Sequence, residues 1–274
     1  MLIAQVTDTH VRAGGQLAYG TVDSAAKLDA CVAHLNAMSP RPDIVLLTGD
    51  LVDSGRPEEY RKLRQCLAPL AMPVYAIPGN HDERGAMREA FADHAYFPRD
   101  GEFLHYVLED YPVRLIGLDT TVPGEPGGLL CARRLAWLAE RLDAAPNRPT
   151  VLFMHHPPFL TGLANMDWQN CRNGEALGAL IERHRQVIRV LCGHVHRAIQ
   201  VNWHGVTASI APSPSHSCAF DLNADAPHDF VLEPPTCAVH YWREGTGLIS
   251  HLTFIGAYGG RHPFYDADGK LIDG

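Results

Sequence analysis

The sequence predicts an α/β fold, two mixed β-sheets packed face to face with helices outside them, a four-layer α/β/β/α sandwich. Three observations predict it. Short apolar, β-branched runs alternate with helix-period segments from residue 2 to residue 192, the pattern of strands linked by helical crossovers. Beyond residue 196 the helical period stops and strands alone follow, a layout that fits two sheets with their helices outside. No internal repeat or low-complexity linker divides the 274 residues, a length that can bury one substantial core.

A strand is expected at 2–7, then a helix at 23–38 and a strand at 43–48. The helix at 57–69 opens on Pro57, whose fixed φ and missing N–H suit a first turn. A strand at 73–77 and a helix at 84–92 follow. Strands near 103–109 and 113–118 precede a helix at 132–144, a strand at 150–154, a helix at 174–184 and a strand at 187–192. The late strands lie near 197–203, 206–210, 236–243 and 248–254. Residues 212–235 are rich in Pro, Ser, Asp and His and are expected as one long loop, of the kind that serves as a lid or binding loop. One domain is expected over 1–255. The tail 256–274 sets Tyr258, His262, Phe264 and Tyr265 among glycines, either a loose end or, as we prefer, a segment docked on a partner subunit.

Composition limits the function. Asp and Glu outnumber Lys and Arg by 31 to 23, a net charge of −8. Nucleic-acid binding is driven by clustered cations that neutralise phosphates, so a nucleic-acid polymer is not the expected partner and a small molecule is. The basic run Arg61-Lys62-x-Arg64 follows Glu58 and Glu59 by one helical turn and reads as a solvated, internally paired face. Seven cysteines, Cys31, Cys66, Cys131, Cys171, Cys192, Cys218 and Cys237, give neither an even count nor C-x-x-C spacing, and reduced structural thiols are expected. No signal-peptide pattern opens the chain and no apolar run approaches a membrane span. A soluble cytoplasmic protein without a membrane partner is the expectation.

The chemistry lies in scattered polar residues: Asp8-x-His10, Gly49-Asp50, Gly79-Asn80-His81-Asp82, His155-His156 and Gly193-His194-Val195-His196. Four of these five pieces directly follow an apolar run ending in a turn, LIAQVT, DIVLLT, TVLFM and VIRVLC. Such residues sit on loops at strand ends, and in a largely parallel sheet those C-terminal ends open on one crevice. Imidazoles, carboxylates and an amide oxygen without thiolates suit two borderline transition-metal ions, divalent or trivalent: Fe, Mn, Zn or Co. Asp8, His10, Asp50 and His196 can hold one ion, and Asp50, Asn80, His155 and His194 the other, with Asp50 shared. Glycine at 49, 79 and 193 suits close approach of main chain to such a pocket.

This ordered set, with the stretches TDTH, GRPEEY, PGNHD, FMHHPP and CGHVH, resembles the calcineurin-like metallophosphoesterases over residues 1 to about 215. Within them it is closest to the class III cyclic nucleotide phosphodiesterase branch, particularly the bacterial metal-dependent glycerophosphodiesterases. The resemblance implies the metallophosphoesterase fold and hydrolysis of small phosphodiesters, of glycerophosphodiester or cyclic nucleotide type, by a hydroxide bridging the two ions. It carries the role of acid or electrostatic stabiliser for the leaving oxygen onto His81, with Asp53 as its orienting partner, and gives Asn80, His81 and His216 contacts with the substrate phosphoryl group. Asp53 departs from some close relatives, which lack an acid there. Related enzymes oligomerise, so a homo-oligomer built on dimers is expected. His156 is expected to support the site without touching an ion, and His34, His94, His105, His184, His204 and His251 to be structural or exposed. Tyr19, Phe159, Trp168 and Phe220 are the aromatics that could line the mouth. A phosphomonoesterase is the rival chemistry, a nuclease is disfavoured by charge, and an inactive interaction scaffold is opposed by the intact ligand set.

Overall fold

The structure is a computed structural model that describes residues 1–260 and 262–272. Arg261, Asp273 and Gly274, part of the tail expected to dock on a partner, lie outside the described residues. The first half runs β1 (Leu2–Val6), α1 (Ser24–Ala37), β2 (Ile44–Thr48), α2 (Pro57–Leu67), β3 (Val74–Ile77) and α3 (Arg84–Ala90). The second runs β4 (Tyr106–Leu108), β5 (Arg114–Leu118), α4 (Ala132–Asp143), β6 (Thr150–Met154), α5 (Ala164–Asp167), α6 (Gly174–Arg183), β7 (Val187–Cys192), β8 (Ile199–Trp203) and β9 (Val206–Ile210). The chain closes with β10 (Ser217–Cys218), β11 (Phe230–Val231), β12 (Thr236–Arg243) and β13 (Gly247–Phe254).

Local chemistry sets several ends. Asp23 caps α1 by accepting from the Ala26 N–H at 3.0 Å. The Glu59 carboxylate folds back to the Arg56 N–H at 3.2 Å, so α2 starts on Pro57. Strand β4 is shorter than expected because the Asp119 carboxylate takes the Leu104 N–H at 3.0 Å before the ladder with β5 begins.

Two mixed sheets carry the architecture, one in the order β13-β12-β1-β2-β3 and the other β4-β5-β6-β7-β9-β8. Their period of two sorts the core into layers. Ile3, Ile44, Leu46, Val151 and Phe153 meet between the sheets. Their neighbours Ala4, Val45 and Leu47 face outward onto Leu28, Leu35 and Leu63 of α1 and α2, and Leu152 and Met154 face Leu138 and Leu177 of α4 and α6. The four-layer sandwich is therefore what forms.

The expected long loop at 212–235 is more ordered than its composition suggested. Strands β10 and β11 pair antiparallel, Ser217 with Val231 and Cys218 with Phe230. The other unexpected element, α5, has four residues, too few to show a helical period. Asn165 on α5 donates to the Pro227 carbonyl at 2.7 Å and ties the two additions together. All seven cysteines are free thiols, and no helix of the described residues is long and apolar enough to cross a membrane.

Candidate metal centre

Strands β1, β2 and β3 run parallel in one sheet and β6 and β7 in the other, and β1, β2, β6 and β7 each end one or two residues before a candidate ligand. The loops that follow are stitched to one another. Asp8 N–H donates to Gly49 O at 3.0 Å, His10 N–H to Asp50 O at 3.0 Å and Gly193 N–H to His155 O at 2.9 Å. His81 N–H donates to Asp50 Oδ1 at 2.8 Å, and His194 N–H reaches Asp8 Oδ2 at 3.0 Å.

The backbone bends sharply to do this. Asp8, His10, Asp50, His194 and His196 have φ of 53°, 44°, 49°, 75° and 56°. A non-glycine residue held there costs on the order of 1–3 kcal/mol, and persists only where its surroundings over-determine it. The glycines make room. A Cβ at Gly79 would stand 2.2 Å from Asp50 Oδ1, one at Gly49 2.4 Å from His155 Nδ1, and one at Gly193 2.1 Å from Thr7 Oγ1. No side chain fits at any of the three.

All seven candidate ligands converge in one cluster, six of them buried and Asn80 partly exposed. On one side His10 Nε2 lies 3.3 Å from His196 Nε2 and 3.7 Å from Asp50 Oδ2, while His196 Nε2 lies 3.2 Å from Asp8 Oδ1. On the other His155 Nε2 lies 3.3 Å from Asp50 Oδ2 and 3.2 Å from Asn80 Oδ1. Asp50 is common to both. His155 Nδ1–H donates to the Thr48 carbonyl at 2.8 Å and His196 Nδ1–H to the His216 carbonyl at 3.2 Å. A carbonyl can only accept, so Nδ1 is the donor on both rings and Nε2 is turned inward, where it can bind a cation once any proton there is lost. His194 Nε2 is buried without a partner. Lone pairs and carboxylate oxygens aimed at one another are the donor set that a pair of cations satisfies, so the residues fit the metal centre the motifs suggest.

The electrostatics carry the same message. Burial alone would raise the Asp50 carboxyl, but His155 and His81 hold it well below the carboxylate range. Asp8 is likewise lowered against its burial, chiefly by His196. His155 rises to about 9 because Asp50 and Asp8 outweigh its burial. His194 is pushed down to about 3 by burial and by His155.

Asp53 does not form the carboxylate–imidazole dyad with His81 that the resemblance implied. Its carboxylate turns the other way, Oδ1 lying 3.3 Å from His10 Nδ1 and Oδ2 accepting from Arg12 Nη1 at 2.6 Å. His81 Nδ1–H donates instead to the Asp53 carbonyl at 2.8 Å. Burial would lower His81, but Asp50, the Asp53 carbonyl and the charges of Asp53 and Asp82 leave it raised. His156 behaves as expected: its Nδ1 meets Thr120 Oγ1 at 2.7 Å and its Nε2 the Pro126 carbonyl at 3.1 Å, so both nitrogens are engaged.

A pocket of about 610 Å³ opens over the cluster, lined by His10, Asp50, Asn80, His81, His194, His196 and His216 below and by Tyr19, Met166, Gln169 and Phe230 above. His216 is pushed down to about 2 by burial and the neighbouring His196 and His10, and is neutral. Of the expected aromatics only Tyr19 lines this pocket. Phe159 is buried, and Trp168 and Phe220 are exposed. The residues that motif reading passed over are Phe230, whose ring stands 5.4 Å from both Tyr19 and His216, and Asp82, whose carboxylate accepts from Leu51 N–H at 3.1 Å and Gly79 N–H at 2.9 Å and so joins two ligand loops. Asp82 stands inside a quoted motif, so its position was visible although its part was not.

Fold and site together define an enzyme of the binuclear phosphoesterase class. The calcineurin-like phosphoesterase family model matches residues 1–198, and the chain belongs to that family. The chain is 42% identical over 274 residues to a protein of Arcobacter nitrofigilis named "Probable glycerophosphodiester phosphodiesterase GpdQ", covering 100% of each. It is 34% identical to the glycerophosphodiester phosphodiesterase GpdQ of Enterobacter lignolyticus over 95% of this chain and 93% of that one. It is 30% identical to the 3',5'-cyclic adenosine monophosphate phosphodiesterase CpdA of Escherichia coli K12, covering 84% of each. Among solved structures, a dimetal phosphatase from Danio rerio superposes with a TM-score of 0.63 at 15% identity, over 93% of this chain and 99% of that chain, a likeness of fold.

Proposed function

We propose that this enzyme hydrolyses small phosphodiesters, of glycerophosphodiester or cyclic nucleotide type, at a binuclear centre. Asp8, His10, Asp50 and His196 hold one ion, and Asp50, Asn80, His155 and His194 the other. The observation that carries the reading is the cluster itself, where His10 and His155 turn imidazole nitrogens toward the shared Asp50 and His196 turns one toward Asp8, with both carboxyls held low. When bound, two transition-metal ions supply Lewis-acid charge and lower the pKa of a water from 15.7 to about 7, giving a nucleophile at neutral pH.

The chain's own residues then divide the remaining tasks. Asn80 and His216 bind the phosphoryl oxygens, the neutral His216 offering a hydrogen bond without adding charge. His81, its Nδ1 fixed by the Asp53 carbonyl, keeps Nε2 free to give a proton to the leaving oxygen, the role of a general acid titrating near neutrality. Among the described residues no Lys or Arg lines the pocket. That supports a singly charged diester over a doubly charged monoester, because only the metal charge is available to neutralise it. The 610 Å³ volume suits a small ligand. Residues 212–235, tied to α5 through Asn165, act as the lid of a domain spanning 1–255. Seven free thiols favour a reducing compartment, and we assign the enzyme to the cytoplasm as a homo-oligomer.

Metal-stripped protein refilled with Mn, Zn or Co, assayed on a chromogenic aryl phosphodiester and its monoester, tests the reading. Diester turnover that requires metal and falls below detection in Asp50→Ala, together with loss of bound metal, is expected. Monoester turnover that exceeds diester turnover would overturn the substrate class, and metal-independent turnover would overturn the centre.

A further inference from the structure

Behind His10 runs a line of charged groups that the hydrolytic chemistry leaves unexplained. Asp53 Oδ1 stands 3.3 Å from His10 Nδ1, and among the described residues both atoms are buried without a hydrogen-bond partner. The other Asp53 oxygen accepts from Arg12 Nη1 at 2.6 Å. Arg12 is held in turn, Nη1 donating to Ser54 Oγ at 3.0 Å and Nη2 to Gln16 Oε1 at 2.6 Å. Its Nε lies 3.8 Å from Oε1 of Glu59, a carboxylate buried to 3% exposure. Glu59 Oε2 accepts from Ser54 N–H at 2.9 Å and Arg56 N–H at 3.2 Å. The line therefore sets Arg12 between the carboxylates of Glu59 and Asp53, ends on the His10 imidazole, and begins on the first turn of α2.

Asp53 is held at a place where it serves two histidines at once. Its carboxylate faces the candidate ligand His10, and its carbonyl accepts from His81 Nδ1 at 2.8 Å. Arg12 decides where that residue stands, since it supplies the nearest cation to the Asp53 carboxylate. A carboxylate behind a metal-binding imidazole fixes the ring and raises its basicity, and its removal typically costs 10–100-fold in metal affinity.

We propose that Arg12, anchored by Glu59, is a positioning residue that sets the affinity of one of the two metal sites, the one containing His10, by fixing Asp53. The inference rests on the binuclear reading above and names a part of its machinery that no motif carries. Arg12 does not line the pocket over the cluster. It acts through Asp53, and so the site built on Asn80, His155 and His194 is indifferent to it. A lysine at position 12 restores the charge but not the planar fork that reaches Asp53, Ser54 and Gln16 together.

Calorimetric titration of the metal-stripped full chain with Mn²⁺ tests this, with thermal melting recorded on the same samples. For Arg12→Gln one of the two affinities falls about 10–100-fold and the other holds. Arg12→Lys recovers part of the loss, and Glu59→Gln moves the same site by less. Two wild-type affinities in a folded Arg12→Gln protein would overturn the proposal, as would equal weakening of both sites in step with a lower melting temperature. If Arg12→Gln does not fold, Arg12→Lys and Glu59→Gln decide by the same criterion. A wild type that binds fewer than two Mn²⁺ ions counts instead against the metal centre, so the two failures are distinguishable.

Discussion

Five candidate ligands stand in the left-handed region, where side chains ordinarily cost energy. The strain is tolerated because hydrogen bonds join the ligand loops to one another and Gly79 and Gly193 leave room for Asp50 and Asp8. Gly193 shows how little slack remains. Replacing it with alanine sets a Cβ 2.1 Å from Thr7 Oγ1 and 2.9 Å from both Asp8 Oδ2 and the Thr48 carbonyl, and the last of these is backbone that cannot swing aside. We expect Gly193→Ala to lose about 1–3 kcal/mol of stability and most of its bound metal, read by urea unfolding and elemental analysis. A variant with wild-type values in both would show that the ligand loops are softer than described. The same crowding explains what motif reading could and could not supply. The candidate ligands were legible because Asp, His and Asn after apolar runs have few other uses in that order. Asp53 was misread because sequence spacing cannot say to which of two neighbouring imidazoles a carboxylate turns.

Among the elements, the contact between the two sheets carries a polar line in an otherwise apolar layer. His240 on β12 is buried, its Nε2 meeting Gln5 Oε1 at 3.0 Å and its Nδ1 Ser250 Oγ at 2.8 Å. Gln5 Nε2 continues to Thr48 Oγ1 at 3.0 Å and the Cys192 carbonyl at 2.9 Å, at the ends of β2 and β7. Burial, helped by Arg189, pushes His240 down to about 3 from 6.5. The unfolded chain therefore takes up this proton first as the pH falls, and stability rises with pH between about 3 and 6.5. One such proton is worth about 1.4 kcal/mol per pH unit in that window. In urea unfolding between pH 6 and 4 we expect the wild type to lose stability more steeply than His240→Gln by about that amount. Parallel pH profiles would mean that His240 is protonated in the fold. Element existence was readable from sequence wherever a strand or helix was long enough to show its period. The four-residue α5 and the two-residue strands β10 and β11 are too short, and they exist because Asn165 and the ribbon pairing hold them.

At the scale of the molecule, the outer edge of the first sheet remains uncovered. Among the described residues strand β13 pairs only with β12; it exposes Leu252 and Phe254 on one face and Ile249, opposite Tyr241 of β12, on the other. An edge strand with exposed apolar side chains is a liability that another chain can cover. The proposed homo-oligomer uses this edge, and light scattering is expected to give a multiple of 30.1 kDa that collapses toward one chain in Leu252→Lys/Phe254→Lys. A wild type that runs at the mass of one chain refutes the assembly.

The sequence by itself determined the layer architecture and which polar residues gather in the candidate metal cluster, because both are written as local patterns: alternation of period two, helical period, and short polar motifs placed after strands. The net charge of −8 likewise reported on partner class without any coordinates. Only the tertiary structure decided which face of Asp53 meets which histidine, that Arg12 and Glu59 stand behind His10, and that Phe230 and Tyr19 come together over the pocket. Those relations join residues whose separation along the chain is set by the topology of two sheets, and no local pattern records how side chains from different loops are turned once they are packed.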